Sequence, residues 1–273
     1  MAEKTIMVTG STDGIGLETA RQLALMGHHV IVHGRNPDKT GSTIGQLEKD
    51  TGSNTIAGVS GDLSSLEQVR SMAAEVQRKH PSIDVLINNA GIYAHDRHIT
   101  GDGMESTFQV NYLSAFLLTL LLLDKIITGG GGRIINVSSM IHASSIDFDN
   151  LNGERSFSGG QAYSLSKLCM ILFTFKLSDL LSDTPVTVNC LHPGVIHTKL
   201  LRAAFGGGAP VPEGAETPVY LATADDVAHT SGKYFVNKTP QKPAPAAMDN
   251  HIQNRLWNVS QQLAGISRDD IKK

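Results

Sequence analysis

Short runs of β-branched and aliphatic residues recur between longer stretches of helical period, and this alternation restricts the fold more than any other feature. The runs are Thr5-Ile-Met-Val-Thr9, His29-Val-Ile-Val-His33, residues 55–59, Asp84-Val-Leu-Ile87, Arg133-Ile-Ile-Asn-Val137, Val186-Thr-Val-Asn-Cys190 and Lys233-Tyr-Phe-Val236. Helical spacing follows the first run to about Met26. It returns over 64–79 with Ser64 as N-cap, over 104–127 before a glycine run at 129–132, and in a segment ending near Leu181. Strands alternating with helices of this length predict βαβ units. The expected fold is α/β: a doubly wound, mostly parallel, seven-stranded sheet with helices on both faces. The 273 residues suit one large domain over 1–273. Residues 206–212, Gly-Gly-Gly-Ala-Pro-Val-Pro, are irregular and predict a flexible substrate flap around 197–212. An amphipathic segment over 252–266 closes the pattern.

Several classes of function are disfavoured at once. The net charge is −3 and Lys and Arg are scattered, so no basic face for nucleic acid is expected. Cys169 and Cys190 have neither metal-ligand spacing nor enough partners for a disulfide framework, which points to a reducing, cytoplasmic setting. The most apolar stretch, 112–123, is shorter than the ~20 residues of a membrane span, so no integral span is expected. Strand-like residues from Thr5 leave no room for a signal peptide. His95-Asp-Arg-His98 and the pair His192 and His197 lack a third ligand at useful spacing, and no metal is expected.

The first strand leads into Thr9-Gly-Ser-Thr-Asp-Gly-Ile-Gly16. Gly10 permits a tight turn, Gly14 close approach of backbone to a pyrophosphate, and Gly16 close helix packing; the anion then rests at a helix N-terminus. Ser11, Thr12, Asp13 and Ile15 complete this predicted dinucleotide cradle. Further on, Tyr163 and Lys167 lie at i and i+4 and share one helix face. An ammonium beside a phenol favours the phenolate, so a lowered Tyr163 pKa is expected. Ser139 and the segment Asn88-Asn-Ala-Gly91 lie upstream.

The T-G-x-x-x-G-x-G spacing, Asn88-Asn-Ala-Gly91, Ser139 and Tyr163-x-x-x-Lys167 together resemble the short-chain dehydrogenase/reductase family, over nearly the whole chain. Glu213-Gly-Ala-Glu-Thr217, Ser231-Gly-Lys-Tyr-Phe235, Arg255-Leu-Trp-Asn-Val-Ser260 and the wide gap between Ser139 and Tyr163 resemble its retinol dehydrogenase branch. The resemblance implies a Rossmann-type fold and hydride transfer between nicotinamide and a carbonyl carbon. Tyr163 is then the general acid, or the base in oxidation, and Ser139 stabilises charge on the same oxygen. Lys167 binds the nicotinamide ribose, and Asn111 holds a proton-relay water through a helix distortion. Asp62 and Leu63 are expected at the adenine. Asn89, Ala90 and Gly91 are assigned a structural, adenine-side role. In the loop 192–198, Pro193, Gly194, the Ile196 backbone and the Thr198 hydroxyl hold the nicotinamide amide.

At the end of the second strand, Gly34 occupies the place of the acidic residue that holds a ribose 2′-hydroxyl in NAD enzymes, and Arg35 and Asn36 follow. A guanidinium suits a 2′-phosphate, so NADP(H) is the expected cofactor. Ile146, Phe148, Leu151 and Phe157 before Tyr163, with Leu200, Leu201 and Phe205 on the flap, are expected to line an apolar pocket for a small carbonyl or alcohol. Retinoids stand beside aldehydes, ketones and lipid-derived carbonyls as candidates. The resemblance also implies a homodimer or homotetramer through a four-helix contact, for which 116–123 and 171–181 offer apolar residues. The alternative is a non-catalytic NADP(H)-sensing regulator; retention of Asn111, Ser139, Tyr163 and Lys167 favours catalysis.

Overall fold

The computed structural model describes residues 3–128, 130–204 and 206–266. Its centre is one sheet of eight strands: β1 (Thr5–Val8), β2 (His29–Gly34), β3 (Ile56–Ser60), β4 (Val85–Asn88), β5 (Arg133–Val137), β6 (Thr187–His192), β7 (Lys233–Val236) and β8 (Thr239–Gln241). The order is β3-β2-β1-β4-β5-β6-β7-β8. The first seven strands are parallel and β8 runs antiparallel to β7. The eighth strand departs from the seven expected. Its sequence, Thr-Pro-Gln, is polar and contains Pro240, which is tolerated because β8 is an edge strand. Val236 pairs with Thr239, so Asn237 and Lys238 form a two-residue hairpin loop, both with positive φ.

The apolar runs are nearly continuous because both sheet faces are covered. Side chains alternate between them: Met7, Ile31, Leu86 and Ile134 join one core, and Ile6, Val8, Val30, Val32, Val85 and Ile87 the other. The first core lies beneath α3 (Leu66–Lys79), α5 (Ser114–Ile127), α6 (Gly159–Leu180) and α9 (Asn250–Ala264). The second lies beneath α1 (Gly14–Leu25), α2 (Pro37–Thr51) and α8 (Val211–Thr223). The N-cap of α3 is Ser65, one residue past the expected Ser64; Ser64 instead bonds the Asp62 carboxylate.

The helix expected over 104–127 begins at Ser106. A short α4 (Ser106–Phe108) passes through a π-helical turn, Gln109–Leu113, into α5. Ser106–Ile127 is long and apolar enough by length and composition to cross a membrane, longer than the dozen residues counted from sequence. Here 72% of its most apolar window is buried inside the protein. The residues expected to contact another copy are covered within the chain itself. Phe116, Leu122, Ile171 and Phe173 are buried, and α9 lies over Phe116 and Phe173. Trp257 stacks on Phe173 at 6.2 Å and meets Phe116 edge-on at 5.2 Å, while Tyr112 Oη and Ser260 Oγ are 2.6 Å apart. Leu121 and Phe175 are only half-buried, and Leu180 is exposed. Arg70 of α3 donates to the carbonyls of Ala264 and Gly265 and fixes the far end of α9.

Candidate active site

Successive strands step outward from β1 through β2 to β3, and the chain then returns to place β4 on the other side of β1. A crevice opens at that switch point, outside the carboxyl ends of the strands. Its two lips are the Gly-rich turn after β1 and Asn89-Ala-Gly91 after β4. They touch: a Cβ on Gly10 would stand 2.8 Å from Ala90 Cα, and one on Gly16 2.4 Å from both Asn89 Nδ2 and Gly10 O. Gly10 and Gly14 have φ of 65° and 54°, which glycine adopts without penalty. Asn89 Nδ2 donates to Thr9 O at 2.8 Å, and Thr9 Oγ1 accepts from the Asn89 and Ala90 amides. Asn89 thus fastens the two lips together through its side chain.

A cavity of about 780 Å³ fills the crevice. It brings together most residues singled out in the sequence: Gly10, Thr12, Asp13, Gly14, Ile15, Gly16, Arg35, Asp62, Leu63, Asn89, Ala90, Gly91, Ser139, Tyr163, Lys167, Pro193, Gly194, Ile196 and Thr198. Three lie outside its lining. Ser11 is buried beneath the turn, donating to Val8 O and accepting from the His33 amide. Asn36 caps α2 by accepting from the Lys39 amide. Asn111 stands behind Gly91: its Oδ1 accepts from the Ile92 amide at 2.7 Å, and its Nδ2 donates to Ile92 O and Ser166 Oγ. It sits in the π-helical turn, the distortion expected for it. Gly91 lies against Asn111 and Lys167: a Cβ there would stand 3.4 Å from Asn111 Oδ1 and 3.6 Å from Lys167 Nζ, in ordinary contact with both.

The corner that holds Ser139, Tyr163 and Lys167 is built where β5 ends against α6. Ser158 caps α6, and Tyr163 and Lys167 follow on its first turns. Lys167 Nζ donates to Val137 O at 2.9 Å and lies 5.5 Å from the Tyr163 ring centroid. Ser139 Oγ accepts from the Ile141 amide at 3.0 Å, which leaves its own proton free for donation. Ser138 turns away and bonds Lys167 O, as strand alternation requires. Burial brings the Lys167 ammonium down to about 8. The expected lowering of Tyr163 is not found: burial pushes its phenol up, and the adjacent Ser139 hydroxyl opposes this. Desolvation of the phenolate outweighs an ammonium that is itself buried and turned toward Val137 O.

His33 is a cavity residue that sequence reasoning missed, and His192, which opens the loop 192–198, lines the same cavity. His33 Nδ1 accepts from the Gly10 amide at 3.0 Å, so Nε2 carries the proton and donates to Gly61 O at 3.0 Å. One ring therefore fixes the Gly-rich turn to the loop after β3. His192, at the end of β6, is lowered to about 4 by burial with His142 and Lys167 nearby. Burial thus keeps it neutral. At β2, a Cβ on Gly34 would lie 2.5 Å from Thr12 Cγ2 and 2.7 Å from Thr40 Oγ1. The acidic residue missing from this position has no room there. Asp13 caps α1, its carboxylate held below its usual range chiefly by its hydrogen bond with Lys199; Lys39 lies 3.7 Å from it.

The apolar lining of the cavity includes Ile92, Val110, Met140, Ile141, Val195, Leu200 and Leu201. Leu200 and Leu201 take their expected place, on the short α7 (Lys199–Ala204). The flap returns beside Val195 through Ala209, whose amide donates to Val195 O and whose carbonyl accepts from the His197 amide. Ile146, Phe148 and Leu151 instead pack against the core, and Leu151 and Phe157 line a separate cavity of about 280 Å³. The loop folds back under α6 before Tyr163, which turns these residues away from the crevice. Phe205 lies outside the described residues.

A dinucleotide cradle at the switch point and a Ser, Tyr and Lys corner beside it define a nucleotide-dependent oxidoreductase site. The profile of the short-chain dehydrogenases matches residues 4–206, and the chain belongs to that family. It is 39% identical to retinol dehydrogenase 13 of Homo sapiens, over 99% of this chain and 87% of the human protein. Among solved structures it is similar to an uncharacterized protein of Mycobacterium paratuberculosis, with a TM-score of 0.82, 31% identity, and coverage of 97% of this chain and 95% of that one. It is also similar to a short-chain dehydrogenase from Escherichia coli CFT073 complexed with NADPH, with a TM-score of 0.72, 25% identity, and coverage of 88% and 98%.

Proposed function

We propose that this chain is an NADP(H)-dependent oxidoreductase acting on an apolar carbonyl or alcohol. The observation that carries the reading is the convergence of Ser139 Oγ, Tyr163 and Lys167 at one end of the cavity whose other end is the Gly-rich turn. Gly10 and Gly16 let the turn close against Asn89 and Ala90, and the N-terminus of α1 lines the cavity beside it, which fits a pyrophosphate. Arg35 at the rim, with Gly34 closed to any carboxylate, fits a ribose 2′-phosphate.

When bound, NADPH supplies the hydride. Tyr163 keeps its proton because burial raises its pKa, so in reduction the phenol donates to the oxygen on which charge develops. Ser139 donates to the same oxygen with the proton that its Ile141 contact leaves free. Lys167 is anchored by Val137 O at 5.5 Å from the Tyr163 ring centroid, and Asn111 grips Ile92 to fix the wall behind them. The apolar lining, with the likeness to a human retinol dehydrogenase, favours substrates with hydrocarbon bulk over sugars. A purely sensing role would not need the Ser139, Tyr163 and Lys167 corner.

The test is initial rates of NADPH and NADH oxidation with carbonyls ranging from small aldehydes to retinal. The expected result is NADPH-linked turnover that rises with apolar bulk and is abolished in Tyr163→Phe, with NADPH binding retained. Undiminished turnover in Tyr163→Phe would refute the general-acid assignment.

A further inference from the structure

The Ser139 carbonyl is held from two directions. Tyr234 Oη, on β7, donates to it at 3.1 Å, and His142 Nδ1 lies 2.8 Å from it. The other His142 ring nitrogen, Nε2, accepts from the Ala244 amide at 3.0 Å. A nitrogen that accepts carries no proton, and a carbonyl can only accept, so the ring is neutral with its proton on Nδ1. The Tyr234 ring meets His142 edge-on at 5.6 Å and limits its rotation. Within the same turn, the Ile141 amide donates to Ser139 Oγ. His142 therefore joins the turn that orients the serine hydroxyl to the segment leading into α9, about a hundred residues further along the chain.

We infer that His142 is a positioning residue for catalysis: its imidazole bridges the Ser139 carbonyl to the Ala244 amide and so fixes the direction of the Ser139 hydroxyl. The inference rests on the proposed role of Ser139 at the substrate oxygen. His142 touches neither that oxygen nor, by these contacts, the cofactor cradle. Its removal leaves Tyr234 on the carbonyl but frees the turn on the side of Ile141. An error of about 1 Å in the serine hydroxyl costs up to about a hundredfold in rate.

Two substitutions separate the two ends of the bridge. Asn at 142 places an amide N–H near the Nδ1 position and keeps the bond to Ser139 O, whereas Gln places an acceptor near Nε2 and keeps only the bond from Ala244. With the aldehyde that the wild-type protein reduces fastest, His142→Ala is expected to lower kcat about 10- to 100-fold. KM and the NADPH dissociation constant should stay within about twofold. His142→Asn should recover most of the rate and His142→Gln little of it. In a Ser139→Ala background, adding His142→Ala should cost nothing further, because the group it positions is gone. An equal loss in both backgrounds, or a loss confined to NADPH binding, would overturn the inference. Amide hydrogen exchange supplies a readout independent of turnover: the Ile141 amide should exchange faster in His142→Ala and return to the wild-type rate in His142→Asn. If the wild-type protein reduced no aldehyde, the oxidoreductase reading would fail on its own, and unchanged Ile141 exchange would separately refute the bridge.

Discussion

Replacing Lys167 by Met should make the cofactor-free protein more stable at neutral pH while removing its activity. Lys167 is 3% exposed, and burial holds its ammonium at about 8 against an ordinary value of 10.5. The folded state thus binds its proton less tightly than the unfolded chain does. Below about 8 both states are protonated and the full cost of the buried charge is present, about 3 kcal/mol. Between about 8 and 10.5 the folded lysine is neutral while the unfolded one is still charged, so stability rises with pH across that window. Met fills a similar volume without charge. It also leaves Val137 O without its 2.9 Å donor, which returns about 1 kcal/mol. The expected net gain is about 2 kcal/mol at pH 7, shrinking to near zero by pH 10, where the wild type has recovered most of its loss. Urea unfolding of both proteins at pH 7 and 10, without cofactor, measures this difference. A Lys167→Met protein destabilised equally at both pH values would show that the charge is compensated inside the fold and refute the reasoning.

Arg35→Ala should weaken NADPH binding about 10- to 30-fold, the lower range for a charged hydrogen-bonded pair because Arg35 is exposed, and leave NADH nearly unchanged; fluorescence titration measures both, and equal losses would remove the 2′-phosphate assignment. NADPH affinity should also fall as pH rises through about 8, where Lys167 loses its charge, and the same titration on Lys167→Met should be flat across that range. Trp257→Ala should cost about 3–5 kcal/mol in urea unfolding because it empties the contact of α9 with Phe116 and Phe173. A loss below about 1 kcal/mol would mean that α9 covers that face only loosely.

Much of the architecture was legible because it depends on local pattern. Apolar runs punctuated by helical period determine a doubly wound sheet, and a sheet wound that way has a crevice at its switch point whatever its side chains. The three glycines, Tyr163 and Lys167 at helical spacing, and Ser139 at a strand end could be placed on that frame without coordinates. Hydrogen bonds between residues distant in sequence were not legible. Nothing local marks His33, in a strand, or His142, in a loop, and only folding brings Gly10 and Gly61, or Ser139 and Ala244, to opposite sides of one ring. The Tyr163 pKa ran against its sequence expectation because desolvation depends on everything packed around the phenol, whereas spacing along a helix reports a single neighbour. The faces of α5 and α6 were visibly apolar. Whether they meet the sheet, another copy or the chain's own C-terminal helix is decided by where α9 comes to rest, and the contacts that hold it there, Trp257 on Phe173 and Arg70 on Ala264, join parts of the chain that share no local signal.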